Sequence, residues 1–542
     1  MSVEELSVMT APAALRAQAR RRPDHVFIDF AGDKLTYAAL DAAVDRAANG
    51  FKALGIVPGD RVAYMLANHS DTAIVWFGLM RLGAIVVPIN TAYKGEFLRH
   101  QLADSQSRMI VVEEEYLAAL AAVRDGTPDL EAVVVRGDAV VVEGLSLDTV
   151  KNGADTPIEN GRELADTAML MYTSGTTGPS KGCIVSYGYL ANCGSCGVVA
   201  HDLTEDDILW IPAPMYHMGC LGMAITPALL TGSTVAVAGK FSVTNFWPEI
   251  ERSKATIAFL ISVMLTLVAN APDSDAMRRC HGQLRMVEGA PLGTELKAIY
   301  RERFGVKHAG SGGFGITEAC LMTLNRIVEP SPGDASGKRF EHFDVKVMDD
   351  NKKECPAGVP GVVYVKPLRP LVMMDGYWNN PEATARVIQD GWFNTGDIGK
   401  FDEEGYFYFV DRDKDYLRRG GENISSFEME RTFMEHTDVT DVAVHAVLSE
   451  LAEDEVKVTA VLREGAALTE EQLCRWSLDR VPHYAVPRYI EFRGELPRNM
   501  VGRVLKFELR NDGRTPATWD RQQSSLATTR GPKSTAVQAV VD

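Results

Sequence analysis

Between Pro23 and about Val410 the chain alternates short apolar runs with longer amphipathic stretches. Arg61-Val-Ala-Tyr-Met-Leu66 is such an apolar run, with the length of a strand, and Asp71 to Leu82 is the amphipathic stretch that follows it. Met109-Ile-Val-Val112 and Glu115 to Val123 repeat the unit. Such alternation predicts an α/β fold in which sheets are covered by helices. After Arg412 the pattern changes. A helix is expected over Ser426 to Glu435, alternating strands over Val439 to Val447 and Val456 to Leu462, and a second helix over Thr469 to Leu478. This is a small α+β module of ordinary domain size. The charged run Asp411-Arg-Asp-Lys-Asp415 separates the two regions and reads as a polar linker able to act as a hinge. The expected division is an N-terminal domain over 1–412, a mobile C-terminal domain over 413–512 and a polar tail over 513–542, where periodicity fades.

Composition narrows the picture. A chain of 542 residues is too long for one core and can enclose a substantial site. The formal charge of −17 argues against a broad nucleic-acid surface, so any bound phosphate must be held locally. The most apolar stretch, Phe77 to Asn90, is interrupted by Arg81 and Pro88 and falls short of the about 20 residues a membrane span needs. It predicts a buried helix running into a strand. The N-terminus has early acids and no unbroken apolar core, which does not suit a secretory signal. Eight irregularly spaced cysteines fit a reducing cytoplasm better than a disulfide framework. Cys193 and Cys196 form a lone CxxC, read as two small residues on one helix.

The strongest chemical signal follows the apolar Ala168-Met-Leu-Met-Tyr172. Thr173-Ser174-Gly175-Thr176-Thr177-Gly178-Pro179-Ser180-Lys181-Gly182 brings together small residues, hydroxyls and a lysine. Small residues let backbone N–H groups converge on an anion, and the lysine supplies charge. The spacing is not that of the ATPase P-loop. Gly310-Ser-Gly312-Gly-Phe-Gly315 is formally a GxGxxG, but no matching dinucleotide βαβ unit accompanies it.

The Thr173–Gly182 segment closely resembles the signature loop of the adenylate-forming superfamily, which includes acyl-CoA synthetases, luciferases and peptide-synthetase adenylation domains. Ser180 stands where that loop usually has proline, a minor departure. Further segments appear in the family's order from about residue 10 to 511. The resemblance implies a large N-terminal domain of α/β subdomains with a distorted β-barrel, and a small mobile α+β C-terminal domain. It implies ATP or AMP, CoA and Mg²⁺ as cofactors. Thr173, Ser174, Gly175, Thr176, Thr177, Gly178 and Lys181 would cradle phosphate. Pro214-Met-Tyr216-His217 resembles the segment bordering the acyl pocket, to which Gly289 and Gly313 would also contribute. Gly289-Ala290-Pro291 would lie against the adenine. In Phe314-Gly315-Ile316-Thr317-Glu318 the ring would stack on the base, Thr317 would bond the α-phosphate and Glu318 would hold Mg²⁺. Asp397 would accept from both ribose hydroxyls and Arg412 would contact ribose or phosphate. Lys414 falls at the family's hinge, and Gly420, Gly421 and Glu422 resemble the loop that lines the pantetheine path of CoA.

One departure bears on catalysis. The family's last motif runs roughly Pro-Lys/Arg-x-x-x-Gly-Lys, its lysine placed between the acid and the phosphate under attack. Here Pro497-Arg498-Asn499-Met500-Val501-Gly502-Arg503 puts Arg503 at that position. Arginine keeps the charge but spreads it over a planar fork, so it is not equivalent. Losing one positioned donor costs on the order of a hundred- to a thousand-fold in rate. Thioester formation from a ready-made acyl-adenylate does not use that lysine. The expected enzyme therefore thioesterifies an acyl-adenylate and makes it poorly, receiving it from a separate adenylating ligase. The alternatives are a complete ATP-dependent acid:CoA ligase using Arg503 or Lys506, a luciferase-like oxygenase, a peptide-synthetase module, and a non-enzymatic acyl-AMP-binding protein.

Overall fold

The computed structural model describes residues 2–137, 145–173, 179–260, 262–290, 292–349, 351–412, 416–419, 422–448, 454–498 and 504–526. Two seven-stranded sheets form the frame of the N-terminal region. One runs in the order Leu145–Ser146, Ala132–Arg136, Met109–Glu113, Arg61–Met65, Ile85–Pro88, Thr167–Thr173 and Lys181–Ser186. The other runs His308–Gly310, Met286–Glu288, Ile257–Phe259, Ile208–Ile211, Thr234–Val237, Val26–Phe30 and Asp33–Thr36. In each, all neighbours are parallel except the last pair. Strands buried on both faces read as continuous apolar runs, which is why Ile85–Pro88 and Met109–Glu113 lack alternation.

The apolar stretch from Phe77 behaves as expected: helix Ser70–Leu82 is buried at every position and leads into Ile85–Pro88. Gly83 ends the helix at φ 83°, a left-handed cap that suits glycine. The charge of Arg81, 2% exposed, is met by Asp41 at 2.6 Å and Asp45 at 3.1 Å. Two antiparallel sheets of three and five strands, joined by the bridge Lys338–Tyr406, occupy the chain from Gly313 to Arg412, the region of the expected barrel.

The C-terminal region opens with the paired strands Tyr416–Arg419 and Glu422–Ser425. Helix Ser426–Met434 follows, capped by the Ser425 hydroxyl. A four-stranded sheet runs Val439–Leu448, Asp454–Leu462, Tyr489–Phe492 and Trp519–Asp520, and helix Glu470–Ser477 packs with it. Residues 513–526 fall in the segment expected as a polar tail. They instead supply the strand Trp519–Asp520 and the buried Leu526. They also complete a buried polar knot. The Lys457 ammonium pairs with Glu491 at 2.6 Å and donates to the Gly513 carbonyl, while the Thr515 and Thr518 hydroxyls donate to Glu491. Phe97, from the N-terminal helix Gly95–Ser105, is buried in the C-terminal core cluster and ties the regions together. Among the described residues no helix is long and apolar enough to cross a membrane.

Candidate functional site

The functional segments gather at the carboxyl ends of the parallel strands, where open α/β sheets bind ligands. Strand Thr167–Thr173 ends with the Thr173 hydroxyl donating to Glu318 Oε1 at 2.8 Å, and the Tyr377 hydroxyl donates to the same oxygen at 3.2 Å. Lys181 is the cross-strand partner of Thr173, so both ends of the signature loop sit side by side. The Lys181 ammonium lies 4.6 Å from the Tyr377 ring centroid. Burial holds its pKa below the usual lysine range against the pull of Glu318. Ser174, Gly175, Thr176, Thr177 and Gly178 lie outside the described residues, as do Pro291, Lys414, Gly420, Gly421 and Arg503.

Thr173, Lys181, Gly289, Ala290, Gly313, Phe314, Gly315, Ile316, Thr317, Glu318 and Asp397 line one cavity of about 900 Å³. Two glycines are there because the backbone leaves no room. A Cβ on Gly289 would lie 2.2 Å from the Leu260 carbonyl oxygen, and one on Gly313 would lie 2.1 Å from that of Thr323. Phe314 is backed by Phe407, with ring centroids 4.7 Å apart, which fixes its plane on the cavity wall. The Thr317 carbonyl accepts from the Tyr189 hydroxyl at 2.9 Å. Asp397 is 1% exposed and pairs through the backbone with Arg412 on the neighbouring strand. The Arg412 side chain lies outside the described set.

Sequence reading missed further residues of this cavity wall. Cys193, Met218, Met223, Phe259 and Leu260 add apolar surface to it, and Glu288 adds a carboxylate. Glu288 is paired with the buried His201 and accepts from the Gly312 amide at 3.2 Å. Apart from Cys193 in its CxxC, none of these residues carries a local motif, so only the fold brings them together. Cys193 and Cys196 are both buried on helix Tyr187–His201, in keeping with the structural reading of the CxxC.

Tyr216 and His217, expected beside the acyl group, meet Glu422 of the C-terminal domain. His217 Nε2 lies 3.1 and 3.2 Å from the two Glu422 oxygens, which also accept from Tyr216 at 3.4 Å and Asn90 at 3.3 Å. Burial alone would lower the His217 pKa, but the facing carboxylate outweighs it and raises it. Burial alone would raise Glu422, and the His217 charge leaves it depressed. Arg418, from the same pair of strands, reaches the cavity wall. Among the described residues no cluster of three or more metal-binding side chains is found. A single carboxylate such as Glu318 on the cavity wall does fit Mg²⁺, which takes one or two protein carboxylates beside substrate phosphates and water.

The cavity gathers these strand-end loops, and Arg418 brings the C-terminal region to its wall. The AMP-binding enzyme family matches residues 15–378 and the AMP-binding enzyme C-terminal domain matches 428–503, and the chain belongs to this family, on its acyl-CoA ligase branch. Among its relatives, the crotonobetaine/carnitine–CoA ligase of Salmonella paratyphi A is 31% identical over 488 residues, covering 88% of this chain and 93% of the relative. The anthranilate CoA ligase AuaEII, solved with anthranoyl-AMP, superposes with a TM-score of 0.70 at 26% identity, covering 95% of this chain and 99% of that one. The amide bond synthetase McbA from Marinactinospora thermotolerans gives 0.80 at 27% identity, covering 93% and 99%.

Proposed function

We propose that this chain joins an acyl-adenylate to CoA, with its C-terminal domain alternating about Lys414, and that Arg503 leaves it slow at making the adenylate. The observation that carries the reading is the seating of Glu422 on His217 beside a cavity walled by Thr173, Lys181, Phe314, Thr317, Glu318 and Asp397. Asp397 would accept from the ribose hydroxyls, Phe314 would cover the base, and Thr317 and Lys181 would hold the phosphate. Mg²⁺ at Glu318 would supply charge neutralisation. Gly420, Gly421 and Glu422 would border the pantetheine arm. In the step itself the CoA sulfur bonds to the acyl carbon as the thiol proton passes to solvent, and the bond from the acyl carbon to the phosphate oxygen breaks with its electron pair leaving on AMP. Crotonobetaine, carnitine and anthranilate are the first acids to assay, given the relatives. All eight cysteines are free thiols, which suits a cytoplasmic enzyme.

The second reading is a complete ATP-dependent acid:CoA ligase, favoured by a CoA-ligase relative matched along 88% of the chain. Lys506 is a poor substitute for the missing lysine: it donates to Ser426 at 2.8 Å and pairs with Glu430 at 2.7 Å within its own domain. Two reactions separate the readings. Acid, ATP, Mg²⁺ and CoA should release little pyrophosphate, whereas the synthetic adenylate and CoA should give thioester rapidly. Robust pyrophosphate release would establish the complete ligase, and binding without thioester would leave a non-enzymatic acyl-AMP-binding protein.

A further inference from the structure

The trailing end of the signature loop is fastened to the C-terminal domain. Ser180 is 4% exposed, and its N–H donates to Glu428 Oε1 at 2.9 Å. Its carbonyl accepts from the His100 ring at 2.8 Å. Glu428 is equally buried, in the first turn of helix Ser426–Met434. Its carboxylate thus enters between the loop and helix Gly95–Ser105, where Arg431 from the C-terminal helix pairs with Glu96 at 2.9 Å. Burial pushes the Glu428 carboxyl up, and the Ser180 amide and hydroxyl pull against that rise. A buried carboxylate needs such donors. Proline, the residue this loop usually has in the family, has no N–H to give. The departure at residue 180 therefore creates a donor where the other domain brings an acceptor.

We propose that Ser180 and Glu428 are a positioning pair that clamps the C-terminal domain onto the loop in the arrangement where Glu422 meets His217, and that this clamp sets the affinity for CoA. The inference rests on the functional reading above. Ser180 directly precedes Lys181 on the cavity wall, but the clamp bears on the Ser180 backbone and the C-terminal helix. When the C-terminal domain swings away, amide and carboxylate part.

The test uses the full chain loaded with AMP and titrated with CoA. Glu428→Leu and Ser180→Pro should each weaken CoA binding about tenfold, in line with the loss of a hydrogen bond to a charged group. The double variant should be no worse than about twofold beyond the weaker single, because each removes the same interaction. Glu428→Gln keeps an acceptor and should stay within about threefold of wild type. AMP affinity of Glu428→Leu should not change. Losses that multiply to about a hundredfold, or singles within about twofold of wild type, would overturn the pair. Hydrogen exchange at the Ser180 amide, slowed at least about tenfold in wild type relative to Glu428→Leu, reports the clamp independently of CoA, and equal exchange would sink it. A wild type that binds AMP but no CoA defeats the functional reading, and the exchange result then decides the pair by itself.

Discussion

Replacing Glu422 by glutamine keeps the side chain's shape and removes its charge. The substitution weakens the hydrogen bonds with His217 at 3.1 and 3.2 Å, while Tyr216 and Asn90 stand at the outer edge of hydrogen-bond range. A hydrogen bond to a charged group is worth about 1.5–3 kcal/mol. The His217 side chain is 42% exposed, however, and solvent screening moves the value toward about 1 kcal/mol. A five- to thirtyfold fall in the CoA-dependent step is therefore expected, roughly 1–2 kcal/mol. Its pH dependence identifies the cause. With His217 raised, the attraction is complete below the ordinary imidazole range and is lost as pH climbs through the raised value. With Glu422 depressed, it is present above the ordinary carboxylate range and lost as pH falls through the lowered value. Single-turnover thioester formation, followed for wild type and Glu422→Gln, should show the largest rate ratio between the ordinary carboxylate and imidazole ranges and a shrinking one as pH climbs through the raised His217 value. A ratio flat across that range, or a loss below about twofold, would refute the ion pair as the link between the domains.

Arg503→Lys should raise pyrophosphate release about a hundredfold while leaving thioester formation from synthetic adenylate within about threefold; an unchanged release rate would count against the role given to Arg503. Gly289→Ala, forcing a Cβ against the Leu260 carbonyl, should lower the melting temperature and abolish AMP binding in calorimetry. Glu491, depressed to about 2 by partners that overcome its burial, contributes stability above the ordinary carboxylate pKa that is lost as pH falls through about 2. Glu491→Gln should flatten the acid limb of the C-terminal domain's stability curve, by roughly 3 kcal/mol between pH 5 and pH 2 in denaturant titrations.

Periodicity revealed the layered α/β region and the later α+β module because buried parallel strands and amphipathic helices each leave a local signature. The end of the second module was not legible. Gly513 to Thr518 is polar because it feeds donors and a carbonyl to the buried Lys457–Glu491 pair, and polar segments look like tails when their partners lie 24 to 56 residues away in sequence. The expected helix from Glu115 is likewise broken into a short 3₁₀ turn and Leu117–Ala121. In the site, contiguous motifs such as Phe314–Glu318 were readable as units. Glu288, Phe259 and Met223 were not, since each comes from a different element and has meaning only in the cavity. Glu428 had the ordinary look of an acid in a helix's first turn, and nothing local marks its partner at Ser180.

The strand Trp519–Asp520 covers the backbone of Tyr489–Phe492, which would otherwise be the outer margin of its sheet. A truncated protein stopped at Asp512 would uncover that margin and strip Lys457 and Glu491 of three partners at once. An uncovered strand recruits strands from other molecules. Truncation at the apparent boundary should thus turn a well-behaved protein into one that precipitates, and a purification tag fused there would carry the same penalty.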